Sequence, residues 1–499
     1  MDHGLSTVDH ELNKKLWTVD RRLWTNTFLP MKRTLSLLLC CWCLYLGTAR
    51  EAAANVSLPA IFGDHMVLQQ QSEVTVWGWA NPSEEVTITG SWDQKAVRTK
   101  ASNLARWSLK LQTPAAGGPY TIQVSGQNKF TIQDVLIGEV WLCSGQSNMA
   151  WTTSAGIDNG QAEIAKAQYP AIRFFTVTKK SADGPQLDLE GHWEVCSPQT
   201  MPHFSAVGYF FGQKIHETLK MPVGLINSSW GGTPAEVWLH PQAVAADPVL
   251  ASAAARLTEV PYGPIQPGKA YWAMISPLIP FRLAGALWYQ GESNVTTAAA
   301  YEQLLPALIG NWRSAWQQDF PFYYVQIAPY KYGDNYSGVL LRDSQRKAMA
   351  TPNTGMVVIS DVGNTQDIHP RNKIPVGQRL ANWALHHTYG QKEVVFSGPL
   401  YRGMQVQGNK IRLSFDYTAP GLMVKGQQLG TFEIAGADQQ FVPAEAKIAG
   451  NTVLVWAKSV KKPVAVRYGW HNTAEPSLFN KAGLPASSFR TDTWPVHRP

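Results

Sequence analysis

Four short segments hold the side chains that could do chemistry. They are Gly145-Gln146-Ser147-Asn148-Met149, Asn227-Ser228-Ser229-Trp230-Gly231-Gly232-Thr233, Gly291-Glu292-Ser293-Asn294 and Asp367-Ile368-His369-Pro370. A serine becomes a nucleophile when a base lies within hydrogen-bond reach. It also needs donors aimed at the oxyanion that develops on the attacked carbonyl. Ser147 and His369 supply the nucleophile and base types. The Gly231-Gly232 pair lets backbone approach a ligand closely. Asn294 offers a side-chain NH₂. Each piece alone is commonplace: Gly-x-Ser turns, Gly-Gly loops and loop histidines are mostly structural. All four, however, follow strand-like runs, and ligands bind at the C-terminal edge of parallel sheets. Cys143, four residues before Ser147, reads as a buried strand thiol rather than a second nucleophile.

The elements that must position these segments are legible as pattern. Alternating or β-branched runs at 74–79, 86–89, 107–111 and 120–124 predict an N-terminal β-sandwich over 55–130. From 131 strands alternate with helices. Strands are expected at 135–142, 223–227, 284–289, 322–327 and 356–361, with helices at 161–167, 206–219, 300–316, 339–350 and 377–387. That order predicts a parallel-sheet α/β domain over 131–394. Strand-like alternation returns at 410–415, 431–434, 453–457 and 464–468, giving a C-terminal β region over 395–499 packed on the catalytic part.

The start of the chain reads differently. Met31-Lys32-Arg33, the apolar run 35–46 and Ala52-Ala53-Ala54 follow the basic, apolar, small-residue order of a secretory signal peptide. Residues 1–30 lie upstream of it, and Met31 is the expected start. Cleavage after Ala54 would begin the mature chain at Asn55. Three of the five cysteines, Cys40, Cys41 and Cys43, lie in that apolar run. Cys143 and Cys196 remain, too few for a disulfide framework. No close cysteine pair or HExxH occurs, so no metal or cofactor is expected.

Composition narrows the class further. The 499 residues are 44% hydrophobic, which excludes global disorder, and no run approaches the ~18 apolar residues of a membrane span. The net charge of +7 is spread rather than blocked, so no nucleic-acid partner is expected. Twenty tryptophans fit either sugar stacking or a large core; Trp151, Trp230, Trp238 and Trp288 lie in or beside the four segments.

These segments resemble the blocks of SGNH (GDSL-like) hydrolases, and more closely the sialate O-acetylesterase group of carbohydrate esterases. The likeness extends to Val67-Leu68-Gln69 near the start and Gly483-Leu484-Pro485-Ala486-Ser487 near the end. It implies an SGNH-like three-layer parallel sheet and a serine esterase acting on an O-acetylated carbohydrate. It makes Ser147 the nucleophile and His369 the base and acid. Asn294 and one glycine, Gly231 being favoured, would join the Ser147 N–H in the oxyanion hole. Gln146, Gln290, Glu292 and Arg342 are the substrate-binding candidates. An arginine matters most if the sugar carries a carboxylate.

The third triad member departs from the superfamily. The usual acid stands three residues before the histidine, where this chain has Gln366. Asp367 would reach the ring if the segment is extended, because residues i and i+2 then point the same way. The alternative is a Ser–His dyad oriented by a backbone carbonyl. Sialic acids are the first substrate expectation and acetylated xylan the second, with a non-catalytic carbohydrate-binding protein as the rival class. Sequons begin at Asn55, Asn227, Asn294 and Asn335. Two fall in the site segments, which points to a secretory route without N-glycosylation, such as a bacterial periplasm.

Overall fold

The computed structural model describes residues 55–495; the signal-like segment lies outside the described residues. One long strand organises everything around it. This strand, β1 (Lys129–Gly145), has an alternating exposed start and is continuously buried from Val135 onward. Its first half pairs antiparallel with Gly117–Ser125 and parallel with Val67–Gln69. Its second half is the centre of the α/β sheet. A single strand thus runs through the 130/131 position, where the sequence changes texture.

The sheet continues with β2 (Tyr169–Thr176), β3 (Trp193–Cys196), β4 (Val223–Ser229), β5 (Gly285–Tyr289), β6 (Phe322–Val325) and β7 (Thr354–Val357). Their order is β7-β6-β5-β1-β4-β2-β3. All neighbours are parallel except β3, which lies antiparallel to β2, so the sheet is mixed rather than purely parallel. β4 and β5 are buried at every position, as strands covered on both faces must be.

Five helices matter to the site: α1 (Ser147–Ala150), α2 (Ala206–Leu219), α3 (Tyr301–Trp316), α4 (Ser337–Lys347) and α5 (Ile374–Trp383). Alternate strand residues divide between two cores, as a period of two requires. Leu142, Ile226, Trp288 and Tyr324 pack in one with Leu304, Leu308 and Trp312 of α3. Trp141, Leu225, Leu287 and Tyr323 pack in the other with Phe211 of α2 and Leu380 of α5. Trp238, Trp288 and Trp312 are fully buried and meet edge to face, with centroids 6.3 and 5.8 Å apart.

The flanking β regions follow the same alternation. Val74, Val76, Leu109 and Leu111 of an antiparallel pair bury against Val86, Ile88, Ile122 and Val124 in one cluster. At the C-terminal end, Ile411, Leu413, Val453 and Val455 of a four-stranded sheet form a separate core with Phe432, Ile434 and Phe489. Among the described residues no helix is long and apolar enough to cross a membrane.

Candidate active site

Strand register brings three of the four segments to one edge. Gly145, last residue of β1, is paired with Ser229 at the end of β4 and with Tyr289 at the end of β5. The loops that follow therefore leave the sheet side by side. Gly145 has φ +133°, and a Cβ there would lie 2.2 Å from the Tyr289 carbonyl oxygen, so only glycine fits. The Gln146 N–H then donates to that same carbonyl at 3.0 Å. Gln146 Oε1 accepts from the N–H groups of Gly291 and Ser293, both at 3.3 Å, tying the first and third segments together. Its Nε2 has no partner among the described residues.

Ser147 opens α1. Its Oγ lies 2.8 Å from His369 Nε2. Gly231 abuts it: a Cβ on Gly231 would stand 3.3 Å from Ser147 Cβ. Gly232 has φ +76° and is pressed by the Tyr262 ring. The imidazole of His369 stacks on Trp151, with centroids 4.6 Å apart and planes 21° from parallel. The Trp151 indole N–H is tied to the Gly156 carbonyl at 3.1 Å, which fixes that platform.

Beneath this pair runs a buried polar relay. Asn148 Nδ2 donates to Glu292 Oε1 at 2.6 Å and to the Ile368 carbonyl at 3.0 Å, holding the residue before His369. Lys373 Nζ donates to Asn148 Oδ1 at 2.5 Å. Lys373 is 0% exposed, and burial pulls its ammonium down to about 7 against the opposing pull of Glu292 and Asp367. Burial also raises the Glu292 carboxyl above its ordinary range, with Asn148 and Lys373 working the other way. His369 is lowered, first by burial and then by the Lys373 charge, with Asp367 opposing. A base held below its ordinary value is deprotonated at neutral pH and ready to accept a proton.

The sign of that coupling gives a test. Removing a neighbouring positive charge favours the imidazolium, so Lys373→Met raises the His369 value. The acid limb of the kcat/KM profile for an aryl acetate is expected to move to higher pH. A limb that stays in place would show that Lys373 does not set the state of the base.

Five of the expected roles do not match the geometry. Asp367 lies close, but its Oδ1 accepts the backbone N–H of His369 at 2.9 Å rather than a ring N–H. Residues 364–369 form a tight turn closed by an Asn364–Asp367 bridge, not an extended run. The i,i+2 argument therefore fails, and the carboxylate caps the turn instead. No hydrogen bond reaches His369 Nδ1 among the described residues. Asp367→Asn, which keeps an acceptor for that N–H, is expected to cost less than about tenfold in kcat, or about 1.4 kcal/mol. A loss of several hundredfold would return the carboxylate to the ring.

Asn294 is 0% exposed, and its amide is spent inside the protein. Nδ2 donates to Glu236 Oε2 at 2.9 Å and more weakly to Thr297 Oγ1 at 3.4 Å; Oδ1 accepts from the Ala235 N–H at 2.9 Å. It braces the second loop against the third rather than presenting a free donor. Gln290, also 0% exposed, donates to Thr233 O and Asn294 Oδ1 and accepts from the Tyr301 hydroxyl, so it too is internal. Arg342 is 1% exposed and engages Ser488 Oγ, Asn472 O and His471 O. It fastens α4 to the C-terminal region and is not a substrate carboxylate ligand. Glu292 holds Asn148 from beneath instead of contacting substrate.

Other residues resolve simply. Burial drives the Cys143 thiol far above its ordinary range, which removes it as a nucleophile. Cys143 and Cys196 are both free. Asp361 forms a bidentate pair with Arg379 at 2.7 Å. Asn227 and Asn294 of the two site sequons are buried. Sequence reasoning missed Glu236, Asn148 and Lys373. Their only signal was position: one follows Ser147 directly and another stands four residues after His369.

Comparison with known proteins agrees on a class. A family model described as carbohydrate esterase, sialic acid-specific acetylesterase, matches residues 137–386. Human sialate O-acetylesterase is 30% identical over 91% of this chain and 97% of its own length. The rat enzyme of the same name is 29% identical over 85% of this chain and 91% of its own. A crystal structure of a carbohydrate acetylesterase from Xanthomonas citri superposes with a TM-score of 0.81 at 38% identity, covering 88% of this chain and all (100%) of that one.

Proposed function

Because the chain belongs to the sialic acid-specific acetylesterase family of carbohydrate esterases, and is thereby a carboxylic ester hydrolase, we propose that it removes acetyl groups from sugar hydroxyls through an acetyl-Ser147 intermediate. The observation that carries this reading is the 2.8 Å contact between Ser147 Oγ and His369 Nε2 at the edge where the β1, β4 and β5 loops emerge. Ser147 Oγ attacks the acetyl carbonyl carbon as His369 takes its proton. The sugar leaves as an alcohol, receiving that proton from His369. Water then attacks the acetyl-serine, giving its proton to His369, and acetate departs as Ser147 is reprotonated.

The oxyanion would be met by the N–H groups of Ser147 and Gly231, the residue that abuts it. Gln146 Nε2 is the side-chain donor left over beside them, since the Asn294 amide is committed to Glu236. One such donor contributes about 2.7–4 kcal/mol to the transition state. Helices on both faces of the sheet and a nucleophile at the end of its central strand support an SGNH-type scaffold. Side-by-side assay of acetate release from O-acetyl sialic acid and acetylated xylan tests the function. Acetate from neither sugar would sink it. The names of the relatives put the sialic acid first among the sugars to try. Export follows from the order of residues 31–54, as a further proposal; mature protein from the native host should begin near Asn55, and a chain starting at Met1 would refute it.

A further inference from the structure

A triad acid has two tasks. It fixes the orientation of the imidazole, and it stabilises the imidazolium formed when the ring takes the serine proton. Here Asp367 is committed to the backbone N–H of His369. That bond and the one from Asn148 to the Ile368 carbonyl hold the main chain, and they leave the ring itself free to turn. Histidine χ2 is a broad, soft torsion. The contact of Nε2 with Ser147 Oγ pins one edge of the ring and leaves its plane open.

The plane is set by Trp151. The imidazole and indole rings lie 4.6 Å apart and 21° from parallel. The indole is itself held, because its N–H donates to the Gly156 carbonyl at 3.1 Å. Its backbone is held as well. The Trp151 carbonyl accepts from the Ala206 N–H at 2.9 Å, and Thr152 bridges to Ser205. The Ser205 hydroxyl donates in turn to the Met149 carbonyl at 2.6 Å. Trp151 closes α1, the short helix that Ser147 opens. The nucleophile and the platform under its base thus share one turn, fastened to the start of α2.

The platform also suits the charge that develops. An aromatic face attracts a cation within about 6 Å of its centroid, and indole does so best. That attraction grows as His369 takes its proton, so it favours the transition state over the ground state. Two other charges act on the ring. Lys373, whose Nζ lies 5.8 Å from the same indole, opposes the imidazolium, and Asp367 favours it. Neither makes a hydrogen bond to the imidazole among the described residues, and Glu292 reaches the site only through Asn148.

We propose that Trp151 is the positioning residue of this site, its indole face standing in for a third triad member by fixing the plane of His369 and steadying the imidazolium. This rests on the Ser147–His369 esterase reading and fills the task that Asp367 leaves open. The test uses the full-length enzyme and a small alkyl acetate, which has no ring to stack on indole. Trp151→Leu keeps apolar bulk without a flat face, and Trp151→Phe keeps a face without the N–H. Trp151→Leu is expected to lower kcat by about 10²-fold, the scale of a 1 Å misplacement. KM should stay within about threefold, since no substrate contact is removed. Trp151→Phe should restore kcat to within about fivefold of wild type. In a His369→Ala background, Trp151→Leu should cost no more than about twofold further, because no base is left to position. Site-specific fluorinated tryptophans at position 151 keep the shape and weaken the π face, and they decide the matter if Trp151→Leu does not fold. With them kcat should decline stepwise with fluorine number. Equal losses in the Leu and Phe variants, a loss confined to KM, the same loss with and without His369, or a kcat indifferent to fluorination would overturn the proposal. If Ser147→Ala and His369→Ala turn over at the wild-type rate, the esterase reading fails and the platform with it. If they are inactive while Trp151→Leu matches the wild type, the platform alone fails.

Discussion

Ser147→Ala is expected to lower kcat on an acetyl ester by roughly 10⁴–10⁶-fold, the range seen when a serine–histidine pair loses its nucleophile. The fold should survive. The Ser147 hydroxyl makes a single hydrogen bond among the described residues, to His369, so its removal strands no buried partner. KM should move little, because the hydroxyl contributes to bond formation rather than to holding the sugar. Circular dichroism and thermal melting check the fold beside the kinetics. Retention of more than a few per cent of wild-type rate in a normally folded variant would remove Ser147 from the reaction.

His369→Ala should cost a comparable factor, and the double variant no more than either single one. Residues that act as one unit are non-additive: once the base is gone, the hydroxyl has little left to lose. A double-mutant cycle measures this directly. Additive losses would mean that the two side chains act in separate steps. The imidazole ring also covers one face of Trp151, so a modest drop in melting temperature accompanies the loss of that stack. Its size is a packing effect and bears no relation to the kinetic loss.

Much of this was legible in the sequence, for identifiable reasons. β5 is a short, wholly apolar run and β4 an apolar run ending in Asn227-Ser228-Ser229, and both are followed by glycine-containing segments, a pattern that few alternatives share. The helix at 206–219 was expected with those bounds because its apolar periodicity is unbroken. Strands 400–407 and 445–449 leave little mark in the sequence, because their outward faces are largely exposed and their alternation is weak. Pattern shows which residues stand at a strand end. It does not show where an amide or guanidinium points once its neighbours compete for it. Asn294 was expected to offer a donor, yet Glu236, an unremarked carboxylate in the second loop, takes it. Arg342 was expected to meet substrate, yet residues 471–488, more than a hundred positions away, close over it. Asp367 was placed by an extended-chain argument that the turn at 364–369 does not satisfy. In each case a long-range partner or a local turn decided the outcome, and neither leaves a mark in periodicity.

The central claim is that acetate passes through Ser147. Rapid acid quench of the wild-type enzyme during turnover of an aryl acetate, followed by mass spectrometry of the peptide containing Ser147, tests it most directly. The account predicts one acetyl group on that peptide, located to Ser147 by fragmentation and absent from Ser147→Ala. Acetyl carried by another residue, or turnover of the ester by a Ser147→Ala enzyme at the wild-type rate, would contradict it.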